Sequence, residues 1–179
     1  MFINIITPCT RPENLSKIEE SLQTIPKENR RWIIVFDAEK FPTYYPKNCE
    51  LYCYKDINST SGNAQRNLAL GFTTDGHIYF NDDDTIIHPT LWDEIKNLEE
   101  DFICFKQANK DGTLRLEGNN ISVGNIDSHN FIVSAECAKN VKWVLNRYDA
   151  DGVFASECYQ KAKTKKYIPK ILSVYNSLK

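Results

Sequence analysis

Three apolar runs constrain this 179-residue chain more than any other feature: FINII at 2–6, RWIIVFDA at 31–38 and HIYF at 77–80. They scarcely alternate polar with apolar residues, the pattern of strands covered on both faces. Between them the period changes. Leu15, Ile18, Leu22 and Ile25 recur at helical spacing, Pro12 suits a first turn, and Thr10 with Glu13 has the form of a capping box. STSGNAQRNLALGF (59–72) opens with capping residues and places Ala64, Leu68 and Ala69 near one helical face. Strands alternating with helices predict an α/β layer with a mostly parallel sheet.

The rest of the chain extends this pattern. ELYCYKD (50–56), DFICFKQA (101–108) and YIPKILSVYN (167–176) read as strands, the last interrupted by Pro169. PTLWDEIKNLEE (89–100), SAECAKNVKWVL (134–145) and DGVFASECYQKAK (151–163) read as helices. FPTYYPKN (41–48) reads as a loop, and NKDGTLRLEGNNISVGN (109–125) as a hairpin or long loop. No repeat or linker divides the chain, so one domain spanning 1–179 is expected.

In parallel sheets, ligands bind beyond the carboxyl ends of the strands, where the strand order reverses. Here the first run is expected to stop at Thr7-Pro8 with Arg11 close behind, the second at Asp37, and the third at Asp82, Asp83 and Asp84. Three polar strand ends point to one site. Adjacent carboxylates repel, and a hard divalent cation such as Mn²⁺ or Mg²⁺, held by one or two carboxylates and completed by substrate phosphates, would relieve that repulsion. The bland alternative is a solvated acidic turn before the helix at Pro89. An EF-hand loop is a poor fit, because Ile86 stands near where that motif needs glycine.

Composition narrows the function classes. With 41% hydrophobic and 26% charged residues the chain is expected to pack an ordinary soluble core, and a net charge of −2 argues against a nucleic-acid partner. The six cysteines form no zinc-type CxxC pair and are too sparse for a disulfide scaffold. Neither a signal peptide nor a transmembrane segment is evident, so a cytoplasmic location is expected. The basic stretch QKAKTKKYIPK reads as a solvated face, with an anionic membrane surface as the alternative.

Four ordered segments, TPCTRPE, WIIVFDA, GNAQRNLAL and GHIYFNDDDT, resemble glycosyltransferases of the nucleotide-diphospho-sugar (GT-A) fold. The likeness is to the large inverting family 2 and, locally, to the animal glucuronosyltransferases. It covers roughly the first half of the chain. It implies a donor part at 1–100 and an acceptor part at 101–179. Thr7, Pro8 and Arg11 would line the nucleotide pocket, Asp37 would bind the uracil ring, and Arg66 would meet the donor nucleotide. Asp82, with Asp83 beside it, would reach the ribose or sugar, and Asp84, in the position of the DxD motif's last aspartate, would ligate Mn²⁺ or Mg²⁺. Taken alone, Asp37 reads equally well as a cap and Arg66 as a salt-bridged surface residue.

Inverting transfer also needs a base for the acceptor hydroxyl. RYDADGVFASECYQKA resembles the acidic motif opening a late helix in these enzymes. Asp151 is the candidate base, Asp149 the alternative, and plain helix capping the competing explanation. GNIDSHNFIVS (124–134) resembles the segment before the acceptor site, where Asp127 and His129 are candidate contacts to acceptor or donor sugar. The expected activity is metal-dependent transfer from a nucleotide sugar, most simply a UDP-sugar, to a glycan, lipid-linked or protein-linked acceptor. The alternatives are a sugar nucleotidyltransferase, disfavoured because IITPCTRPE lacks the usual glycine-rich loop, and a non-catalytic sugar-nucleotide-binding module.

Overall fold

β1 (Ile3–Cys9) is buried along its whole length, and the sheet is built outward from it. The computed structural model describes residues 1–37 and 44–179. Ala38, at the end of the second apolar run, and the opening of loop 41–48 lie outside the described residues. On one side β1 pairs parallel with β2 (Arg30–Phe36), which pairs parallel with β3 (Glu50–Cys53). On the other side it pairs parallel with β4 (His77–Phe80). The order β3-β2-β1-β4 therefore reverses direction between β1 and β4, which opens a crevice at their carboxyl ends.

Beyond β4 the sheet changes character. β7 (Phe131–Ser134) lies antiparallel between β4 and β5 (Phe102–Ala108). The predicted hairpin or loop after β5 contains β6 (Leu114–Leu116), antiparallel to β5. β8 (Lys165–Val174) pairs parallel with β5 and absorbs Pro169 where the register shifts.

Each face of the sheet carries its own core. Ile3, Ile5, Ile34 and Tyr79 pack with Leu15 and Ile18 of α1 (Leu15–Ser21) and Leu91, Trp92 and Ile95 of α3 (Leu91–Ile95). Ile6, Ile33, Ile78 and Phe80 face the opposite layer. There they meet Ala69 of α2 (Asn63–Leu70), Ala138 of α4 (Ala135–Ala138), and Phe154 and Cys158 of α5 (Ala150–Lys161). Phe80, Trp143 and Phe154 form an aromatic cluster, with Phe80–Trp143 and Trp143–Phe154 centroids both 4.9 Å apart.

Several elements differ from the sequence reading for identifiable reasons. β1 runs through Pro8 to Cys9 rather than stopping at Thr7-Pro8. Past Ile6 it has only β2 beside it, and a strand edge tolerates the missing proline N–H. The Thr10–Glu13 capping box does not form, because Thr10 bonds to Asp83 instead. The predicted helix at 89–100 is only Leu91–Ile95, the span that offers a compact apolar face. The predicted helix at 134–145 ends at Ala138. Asn140 adopts a left-handed φ of 65°, and the following segment is pinned to α2 by Asn67, which accepts the Trp143 N–H at 2.8 Å and donates to its carbonyl at 2.8 Å.

Candidate functional site

The crevice at the strand ends is a cleft of about 750 Å³, reached by Pro8 near the end of β1, Arg11 after it, Asp37 after β2 and Asp82–Asp84 after β4. The start of α2 forms another part of it, with Gly62, Asn63 and Arg66. Gly62 has φ 77°, and a Cβ there would sit 2.7 Å from the Pro8 Cβ, so glycine lets α2 approach β1. The later half contributes Arg115, Asp127, Ser128, His129, Trp143, Asp149, Asp151 and Lys179. Of the sequence-predicted residues, Thr7 alone is set back from the cleft. It is fully buried in β1, and its hydroxyl accepts the Trp32 Nε1–H at 3.0 Å.

The three aspartates are used differently. Asp83 is turned inward: its carboxylate accepts the Thr10 N–H, the Thr10 hydroxyl at 3.1 Å, the Arg11 N–H at 2.7 Å and the Arg11 guanidinium. It staples the turn after β4 to the turn after β1. Burial raises its pKa, although the Thr10 amide and Arg11 oppose the rise. Asp82 pairs with the Arg66 guanidinium and accepts the Ser128 hydroxyl at 3.2 Å. Asp84 holds two cations on Oδ2, Arg11 at 2.9 Å and Lys179 Nζ at 2.8 Å. Burial works against its charge, but Lys179 and Arg11 outweigh that and hold its pKa below the usual carboxylate value.

Arg66 is buried and does not behave as a surface residue. Its guanidinium donates to the Ser61 carbonyl at 2.6 Å and lies 4.5 Å from the centroid of the Trp143 ring. Trp143 went unselected in the sequence. It sits inside an apparent helix, and in the structure it lies outside any helix and lines the cleft. Arg115 and Lys179 were also missed, because neither lies in a motif. Asp37 is half-buried at the cleft, its N–H donating to the Cys9 carbonyl at 3.0 Å. Burial and the Asp83 charge push the Cys9 thiol up to about 12, which leaves it unsuited to act as a nucleophile.

Asp149 and Asp151 separate clearly. Asp149 is salt-bridged to Arg147 through two bonds of 2.8 and 2.6 Å and makes no side-chain cap. Asp151, in the first turn of α5, is half-buried at the cleft. Burial and the Asp127 charge raise its pKa to about 6.

Among the described residues, no three His, Cys, Asp or Glu side chains converge as a ready-made metal centre. His129 cannot add a ligand in this geometry, since its Nε2 already accepts the Asp82 N–H at 2.8 Å. What remains is the Asp84 carboxylate at the cleft, with Asp82 two residues away. That donor set fits a hard cation only if a bound diphosphate and water complete its shell.

No family model matches the sequence, and no curated protein matches it. Solved structures do. Residues 1–349 of S. aureus TarS superpose with a TM-score of 0.77 at 16% identity over 97% of this chain and 60% of that one. The same protein in complex with UDP-GlcNAc gives 0.76 at 17% identity, covering 97% and 58%. The mannosyltransferase PcManGT from Pyrobaculum calidifontis, in complex with GDP-Man and Mn²⁺, gives 0.71 at 12% identity, covering 97% and 56%. The chain thus has the GT-A fold of these glycosyltransferases and spans somewhat over half the length of these three structures, and 36% of a longer TarS structure. None of the three is an animal glucuronosyltransferase, so that part of the resemblance stays an expectation. No helix among the described residues is long and apolar enough to cross a membrane.

Proposed function

We propose that the chain is an inverting glycosyltransferase that takes a sugar from a nucleotide-diphosphate donor, most simply a UDP-sugar, and passes it to a hydroxyl of a glycan, lipid-linked or protein-linked acceptor. One observation carries this reading. Two aspartates in the same cleft have pKa values pushed apart, Asp84 downward by its cations and Asp151 up to about 6. Opposed carboxylates of this kind mark a division between an ion-holding group and a proton-accepting group. The likeness to structures holding UDP-GlcNAc and GDP-Man supports the donor class.

In this mechanism, residues 1–100 bind the donor and residues 101–179 the acceptor. Arg11, Asp37 and Arg66 hold the nucleotide, and Asp82 meets the ribose or sugar. Asp84 would hold Mn²⁺ or Mg²⁺, which when bound supplies positive charge to the leaving diphosphate. Asp151 accepts the proton of the acceptor hydroxyl as that oxygen attacks the anomeric carbon from the face opposite the diphosphate. At neutral pH a carboxyl with a pKa of about 6 is mostly ionised yet basic enough to take that proton. Asp149, tied to Arg147, is the weaker candidate.

The test is release of nucleoside diphosphate from a panel of UDP- and GDP-sugars, with Mn²⁺ or with EDTA. Slow cation-dependent release of UDP from one UDP-sugar supports the proposal. Inertness toward every donor, together with failure to bind any nucleotide, would remove it.

A further inference from the structure

The amide of Asp82 has an unusual partner. β4 leaves its pairing with β1 after Phe80, and the last bond across that edge is from Asn81 N–H to the Ile6 carbonyl at 2.9 Å. The next N–H, that of Asp82, has lost its strand neighbour. It donates at 2.8 Å to Nε2 of His129, which is 2% exposed. An Nε2 that accepts carries a lone pair, so the ring proton must sit on Nδ1. Nδ1 in turn donates to Asp127 Oδ1 at 2.9 Å.

Asp127 is held as firmly as the ring. Oδ1 also accepts the His129 N–H at 3.1 Å and Gln107 Nε2 at 3.2 Å, and Oδ2 pairs with Arg115 at 3.0 Å. Burial opposes its charge, but the His129 bonds and the Arg115 guanidinium prevail and keep the carboxyl well below the usual range. The loop carrying the pair is fixed from below by the Tyr79 hydroxyl, which donates to the His129 carbonyl at 3.1 Å.

We propose that Asp127 and His129 are positioning residues: a carboxylate–imidazole–amide relay, anchored on β5 through Gln107, that sets the backbone of the acidic turn and so the aim of Asp82 and Asp84. Both act through that turn rather than by touching ligand. Their ring and carboxylate atoms are spent on each other and on the protein. This assigns a different role from the sugar contact expected of them in the sequence. Its consequence for nucleotide binding rests on the function proposed above; the relay itself does not.

The experiment combines NMR with two substitutions that differ in reach. In the wild-type protein, long-range ¹⁵N–¹H spectra should show His129 protonated at Nδ1 and bare at Nε2. His129→Gln can place an amide oxygen near the Nε2 position and still accept the Asp82 N–H, whereas His129→Asn ends near Nδ1 and cannot. His129→Asn should therefore shift the amide resonances of Asp82 to Asp84 and weaken UDP binding about tenfold, the usual consequence of orphaning a buried N–H. His129→Gln should recover most of both. A proton found on Nε2, unmoved 82–84 amides in the Asn variant, or equal behaviour of the two variants would overturn the relay. If wild-type protein binds no UDP, the donor reading fails while the tautomer and amide shifts still decide the relay.

Discussion

The acidic turn after β4 and the loop leading into α5 deliver aspartates to one cleft but are held by different forces. The turn is fixed by charge: Asp83 gathers the backbone and guanidinium of Arg11, Asp82 takes Arg66, and Asp84 takes Arg11 and Lys179. The loop is fixed mainly by neutral amides, its Arg147–Asp149 ion pair being exposed. Asn67 brackets Trp143, and Asn63 Nδ2 donates to the carbonyls of Val144 at 2.9 Å and Arg147 at 2.8 Å. The contrast suits the two tasks. On the function proposed above, a site for a polyanionic donor needs preset charge, whereas a base is better placed without a directly bonded counter-ion that would depress its pKa.

The largest effect should follow from Asp151→Asn. Loss of a positioned base removes about 10²–10⁴ of rate, and UDP affinity should be unchanged, because the substituted group lies on the amide-held side. In the wild type, a base with a raised pKa must be ionised to work. The plot of kcat/KM should therefore bend near pH 6, levelling off above about 7 and falling toward tenfold per unit below about 5. A profile still level at pH 5 would remove Asp151 from the role.

Next in size, Asp83→Ala orphans the Thr10 and Arg11 amides and should cost about 3 kcal/mol in urea unfolding, with weaker UDP binding. Asn67→Ala should cost about 2 kcal/mol by the same measurement, but its functional signature should be the reverse: lower kcat with nucleotide affinity kept. Equal loss of UDP affinity in both variants would mean the two regions are not held separately.

The smallest effect concerns Lys179, whose ammonium shares Asp84 Oδ2 with Arg11. Lys179→Gln should tighten Mn²⁺ binding, read by electron paramagnetic resonance of the free ion, by up to about fivefold, the scale of a partly exposed ion pair. Weaker binding would mean that Lys179 supports the cation rather than competing with it.

This contrast also explains what the sequence could tell. The side of the acidic turn was legible because its strands are long apolar runs, and a strand that ends in polar residues at a switch point announces a site. The α5 side was harder. SAECAKNVKWVL has helix-compatible spacing, and nothing local signals that the Asn67 side chain, 76 residues away, will hold Trp143 in a non-helical segment. Asp83 shows the other limit. Three identical neighbours in a row hide which one turns inward, and that depends on Thr10 and Arg11 across the switch point. Thr7 was misread because β1 continues past it, which buries the hydroxyl against Trp32.

The most direct test of the whole account is calorimetric titration of UDP into wild-type, Asp84→Ala and Asp151→Asn proteins, each with Mn²⁺ and with EDTA. The account predicts Mn²⁺-dependent binding in the wild type, its loss in Asp84→Ala, and unchanged binding in Asp151→Asn. Equal weakening by the two substitutions, or identical binding with and without Mn²⁺, would contradict it.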